Sequence, residues 1–279
     1  MLILVLLISI WFGCAVAHKS PYKPTIRPRQ TPQPEAQMWE FVKGGFSRKF
    51  VESKCTDEQK ERLKSAWEDA KLIIEAQTNI IAGYDYDLVH RTWMGDDWDA
   101  RDTPEKEGWG KIIEDNFARI AGLFRGEYGK SEEFFWRYTP EPDDDLCDDG
   151  KMYANNYYNL DFHLSGNHMH TITFCPPYWS LETIGEQIAR HKDDEMGQMN
   201  MVNFVATTSH IMLHEIYHIK LATQPQTIDY AIEYHEALDL ARTYGMEFTH
   251  VNSDSYTHDA VAIYLQQTFK SSKPPTRLI

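Results

Sequence analysis

The reading turns on Leu213–Leu221, "LHEIYHIKL". His214 and His218 stand four residues apart, one helical turn, so both imidazoles can reach a single ion at about 2.0 to 2.1 Å. Glu215 lies about 100° round the same helix, beside such an ion and outside its ligand plane. From there it can take a proton from a water in the ion's open position, while the metal lowers that water's pKa and polarises a carbonyl. The preceding run, "NFVATTSHIM", is apolar nearly all round, which predicts one buried central helix from 203 to 221. Ionisable groups in a buried helix are costly unless paired or metal-bound, and this favours a zinc site over plain core packing. His210, one turn earlier, is expected to line the cleft or pack in the core.

A third ligand must come from elsewhere. The short HExxHxxGxxH pattern needs Gly at 221 and His at 224, where the chain has Leu221 and Gln224. A Glu ligand with Asp four residues later fails too, since Ala237 follows Glu233 and Leu240 follows Glu236 at that spacing. Asp229, in "TID" at the start of a predicted helix, is the nearest remaining candidate, with Glu233 and Glu236 as alternatives.

Working outward, "CTDEQKERLKSAWEDAKLIIEAQTNIIAG" predicts a long amphipathic helix opened by a Thr56/Gln59 capping box. "GWGKIIEDNFARIAGLFRGE" predicts another, after an acidic, tryptophan-rich loop at 93–102 that reads as solvated. Between Glu132 and Trp179, aromatic and β-branched residues broken by turn signals predict a small antiparallel sheet. His168 and His170 share one strand face in it, at an edge suited to pairing with an extended peptide. Two further helices are predicted, one over "DYAIEYHEALDLARTYG" closed by Gly245 and one opened by Asn252.

The 279 residues begin with "MLILVLLISIWFGCAVA", an apolar run ending in a small-residue cleavage pattern, so residues 1–17 are expected to be a signal peptide and the protein secreted. Residues 18–37, rich in Pro and basic groups, read as a linker or leader, leaving 38–279 as one α+β domain. The leader carries +3 within a chain of −14, so the remainder stands at −17, which argues against nucleic acid and anionic membranes as partners. Cys55, Cys147 and Cys175 lie beyond the leader, and one disulfide among them is expected. No Asn-x-Ser/Thr acceptor occurs.

"HEIYH" followed by "QTIDYAIEY" resembles the HExxH and G-T-x-D-x-x-Y-G pair of the aspzincins, the deuterolysin and peptidyl-lysine metalloendopeptidase family. "CTDEQKERLKSAW", "ITFCPPYW" and "NSDSY" are similar to flanking elements of that family. The resemblance implies a zincin-like fold, mainly helical with a small antiparallel sheet and a central HExxH helix. It implies one zinc per chain on His214, His218 and Asp229, with Glu215 as general base acting on a protein or peptide substrate. Gln226 stands where the family has Gly, and Ile232 and Glu233 where it has Tyr and Gly, which leaves Tyr234 or Tyr244 to stabilise the oxyanion. The acids of 143–149 would suit a basic side chain after the cleaved bond, as in the lysine-specific branch. The alternative is a non-catalytic secreted zinc-binding or host-interaction protein on the same scaffold.

Overall fold

The computed structural model describes residues 38–40, 49–51, 56–79, 86–99, 109–125, 135–139, 147, 153–159, 169–219 and 222–275, all within one compact unit, Ala36–Ile279. The expected signal peptide and linker, Cys55 and His168 lie outside the described residues. In chain order the elements are strands β1 (Met38–Glu40) and β2 (Lys49–Val51), then helices α1 (Asp57–Thr78), α2 (Tyr86–Trp93) and α3 (Trp109–Arg125). Strands β3 (Phe135–Thr139), β4 (Ala154–Asn159) and β5 (Met169–Phe174) follow. The C-terminal part holds α4 (Ile184–His191), α5 (Glu195–Gln198), α6 (Thr208–Tyr217), α7 (Tyr234–Tyr244), α8 (Met246–Thr249) and α9 (Ser253–Phe269).

The core is helix on helix. α1 starts on the predicted capping box, with Thr56 and Gln59 each bonding the other's backbone N–H, so two N–H groups that the helix cannot satisfy itself find acceptors. Its buried side chains, Leu63, Ala66, Trp67, Ala70, Ile73 and Ile74, recur at helical spacing and face α9, α6 and α3. Trp67 meets Phe124 of α3 with ring centroids 4.5 Å apart. α9 is buried along nearly its whole length, although Ser253, Asp254, Ser255, Thr257, His258 and Asp259 are polar. It packs between α1, α2, α6 and α7, so those polar groups must be answered from inside the fold.

Three expectations are corrected. The three-stranded sheet, in the order β3-β5-β4, is mixed, because β3 runs parallel to β5 (Phe135 opposite Met169) while β4 is antiparallel to it (Ala154 opposite Phe174). β4 lies between β3 and β5 in the chain but beside β5 in the sheet, on the side away from β3, an order that a pattern of short strands does not reveal. His170 lies in β5 opposite Trp136 and Tyr158. The expected helix over 203–221 is shorter, since the Thr207 side chain accepts from the His210 N–H and starts α6 there, and His218 ends it. The next helix begins at Tyr234, not at Asp229, so Asp229 sits in an extended connection whose Ile228 bridges Asn252 in parallel.

A disulfide joins Cys147 to Cys175 across 28 residues, tying the loop before β4 to the end of β5. No helix among the described residues is long and apolar enough to cross a membrane.

Candidate metal centre

Local chemistry at the end of α6 shapes the site. Thr223 Oγ1 and Thr227 Oγ1 both donate to the carbonyl of Tyr217, at 2.9 and 2.8 Å, and Gln226 Nε2 donates to the carbonyl of His218 at 3.0 Å. These are carbonyls that a helix C-terminus leaves without partners, so the returning loop is stitched to the helix that carries the motif. Gln226 is thus one of the caps. On its other side the loop is held by the residues that lead into α9: Asn252 Oδ1 accepts from the N–H groups of Tyr230 and Ala231, both at 3.0 Å, and the Ile228 N–H donates to the Val251 carbonyl at 2.8 Å. Asp229 lies inside this doubly fixed segment.

Its carboxylate is delivered to the two histidines. Asp229 Oδ1 stands 3.0 Å from His218 Nε2 and 3.4 Å from His214 Nε2, and the two Nε2 atoms are 3.2 Å apart. A tetrahedral ion with bonds of about 2.0 to 2.1 Å has ligand-to-ligand edges of about 3.3 to 3.4 Å, so this triangle is close to one face of such a polyhedron. The far side of each ring fixes which nitrogen is free. His214 Nδ1 donates to Asp254 Oδ1 at 2.7 Å, and His218 Nδ1 donates to the Thr227 carbonyl at 3.2 Å. Both acceptors can only accept, so both Nδ1 atoms carry a hydrogen and both Nε2 atoms turn toward each other and toward Asp229, where each can hold a metal ion or a proton. Three electron-rich atoms at this separation repel unless positive charge lies among them, and the donor set of two imidazoles and one carboxylate is that of a zinc site.

With no ion among them, the surrounding carboxylates draw protons onto the same rings. Burial works to lower the His214 pKa, but Asp254, with Asp229 and Glu215 behind it, raises it to about 10. His218 is also raised, Asp229 prevailing over burial and over the repulsion of His214. Burial alone would raise Asp229, but its bond to His218, both imidazoles and the hydroxyl of Ser253, which donates to Oδ1 at 2.7 Å, hold it below the carboxylate range. Glu215 is 4% exposed, and burial raises its pKa against the pull of His214 and His218. The side chain of Asp229 is 37% exposed against 11% for His214 and 14% for His218, so the cluster opens to solvent on the Asp229 side.

Of the residues singled out in the sequence, the structure brings together His214, His218 and Asp229, with Glu215 near enough to feel all three charges. It does not gather the alternatives. Glu233 is exposed and pairs with His235 at 3.2 Å, and Glu236 accepts from the Ile232 N–H. Tyr234 opens α7, where its ring meets His235, and it makes no hydrogen bond to the cluster; Tyr244 is 54% exposed on the same helix and meets Phe248 edge-on. His210 is packed in the core against His258. Sequence reasoning missed Ser253 and Asp254, which hold Asp229 and His214. Their one signal is an acid and two serines in "NSDSY" at the head of a buried helix, a place where a carboxylate also gains from the helix N-terminus.

No family model matches the sequence, and neither does any curated protein. Solved structures do match, among them a zinc peptidase from Grifola frondosa, with 14% identity over 77% of this chain and 98% of that one at a TM-score of 0.45. A likeness of that size does not establish a common fold.

Proposed function

We propose that this chain is a secreted zinc endopeptidase, a divergent relative of the aspzincins, whose peptidase domain is residues 38–279 after loss of the 1–17 signal. The observation that carries the reading is the convergence of His214 Nε2, His218 Nε2 and Asp229 Oδ1 on one point, with the hydrogen of each ring fixed on its far side. These three would hold one zinc, and zinc bound there supplies a Lewis acid and a water of lowered pKa. Glu215 takes the proton of the attacking water and later gives it to the leaving amine. A carboxyl group whose pKa is raised by burial suits both halves of that transfer, because it is a stronger base when ionised and a usable acid afterwards. Asp254 keeps His214 in the tautomer that faces inward, and Asn252 keeps Asp229 in reach. The peptide enters from the side on which Asp229 is exposed.

One observation favours a non-catalytic zinc-binding protein instead: Ile232 and Glu233 stand where the aspzincins have Tyr and Gly, so the tyrosine that would stabilise the oxyanion is not at that position. Casein cleavage separates the readings. The peptidase reading expects cleavage by the purified protein, loss of it with a zinc chelator, and recovery on adding Zn2+ to wild type but not to His218→Ala. Zinc binding without cleavage, or cleavage that the chelator leaves untouched, would sink it.

A further inference from the structure

Deeper in the same interface, α6 and α9 bring together a second set of ligand-type side chains. His210 lies one turn before His214 on α6, and His258 one turn after Asp254 on α9. Their rings lie 5.0 Å apart and 27° from parallel, with His210 Nε2 and His258 Nδ1 2.9 Å from each other. An Asp254 carboxylate oxygen completes a group whose donor atoms all fall within 4.8 Å of one another. Exposure is 4% for His210, 1% for His258 and 1% for Asp254.

The hydrogen-bond accounting of this group does not close. Asp254 Oδ1 is taken by His214, while Oδ2, an anionic oxygen buried in the core, has no hydrogen-bond partner. His210 Nδ1 and His258 Nε2 have none either. Whichever imidazole donates across the 2.9 Å contact, the pair leaves one buried donor, one buried acceptor and the charged oxygen unanswered. The charged oxygen is the most costly of the three to leave so. Burial pushes both rings below the usual histidine range, His258 to about 4 against the pull of Asp254, so both are neutral imidazoles at neutral pH. Two neutral imidazoles and a carboxylate form a donor set that borderline cations prefer and that calcium or magnesium, which seek oxygen, do not.

We propose that His210, His258 and Asp254 form a second, fully buried metal site for a borderline divalent cation such as zinc, which staples α6 to α9 behind the solvent-open centre. Two donors 2.9 Å apart subtend about 90° at an ion with bonds of about 2.0 to 2.1 Å, so ring movements of a few tenths of an ångström suffice to open a tetrahedral angle. Asp254 then serves both sites, one oxygen holding the His214 ring and the other binding the inner ion. The inner site has no opening for substrate, so its role is structural, and it does not depend on the peptidase reading.

The test is the zinc content of purified full-length protein, loaded with Zn2+ and dialysed, in wild type, in His214→Ala/His218→Ala and in His258→Gln. Two zinc ions per wild-type chain, one in the double variant and one in His258→Gln are expected. One in wild type and none in the double variant would overturn the inner site and leave the outer one standing. One in wild type retained by the double variant but lost in His258→Gln would uphold the inner site and count against the peptidase. Should a variant fail to fold, anomalous scattering at the zinc edge from wild-type crystals decides, with a peak expected between His210 and His258; its absence overturns the proposal.

Discussion

Replacing Asn252 by Ala should damage both stability and metal binding, because this side chain holds the segment that carries Asp229. Asn252 is fully buried and precedes α9, yet its carboxamide does not cap that helix. Oδ1 accepts from the Tyr230 and Ala231 N–H groups at 3.0 Å each, and Nδ2 donates to Ser255 Oγ at 3.1 Å. Tyr230 is half exposed, so water can replace its partner. Ala231 is 3% exposed, and its orphaned N–H costs about 1 to 3 kcal/mol. With about 1 kcal/mol for the lost bond to Ser255, Asn252→Ala should lose about 3 kcal/mol in urea denaturation. Asp229, released between Ile228 and Tyr230, should weaken zinc binding by about tenfold or more, or about 1.4 kcal/mol, in competition with a chromophoric chelator. An alanine variant within about 1 kcal/mol of wild type and with wild-type zinc affinity would refute the clamp.

Two further predictions concern parts of the fold away from the candidate metal centre. Burial, helped by Glu68, raises the half-buried Asp69 on α1 from 3.8 to about 6. A raised folded pKa means stability that is full below the unfolded value and lost as pH climbs from about 4 to about 6. Asp69→Asn should therefore gain about 1 kcal/mol over wild type at pH 7.5, after allowance for solvent screening, and nothing at pH 3, a difference that thermal melts at the two pH values would reveal. The Cys147–Cys175 bond closes a span of 28 residues, so Cys175→Ala, or reduction, should cost about 3 to 4 kcal/mol in urea denaturation; a loss below about 1 kcal/mol would show that the loop is restrained by other means.

What the sequence made legible was what local chemistry dictates. The capping box at Thr56, the burial of α1 at helical spacing, and the one-turn pairing of His214 with His218 all follow from side chains within a few residues of each other. Asp229 could be named because it stands eleven residues past His218, and only the resemblance to the aspzincins, not the residues themselves, favoured it over Glu233 and Glu236. That choice depends on Thr223, Gln226, Thr227 and Asn252 bending the connection back onto α6. The helix boundaries slipped for the same kind of reason. Thr207 starts α6 inside an apolar run, and the connection that holds Asp229 is extended by backbone pairing with 251–253, which helical periodicity does not encode. Asp254 and His258 were invisible as partners of His214 and His210 because they sit some forty residues away, on a helix whose hydrophobic pattern is nearly uniform. The parallel pairing of β3 with β5 was out of reach too, since strand direction depends on the course of the connection between them.

The central claim is that Glu215 moves the proton while His214, His218 and Asp229 hold the zinc. The measurement that tests it most directly is casein cleavage by zinc-loaded wild type and Glu215→Gln, with zinc content determined on the same samples. Cleavage by wild type, and its loss in a folded variant that keeps the wild-type zinc content, is the predicted result. Equal cleavage by both proteins, or no cleavage by a wild type that holds its zinc, would contradict it.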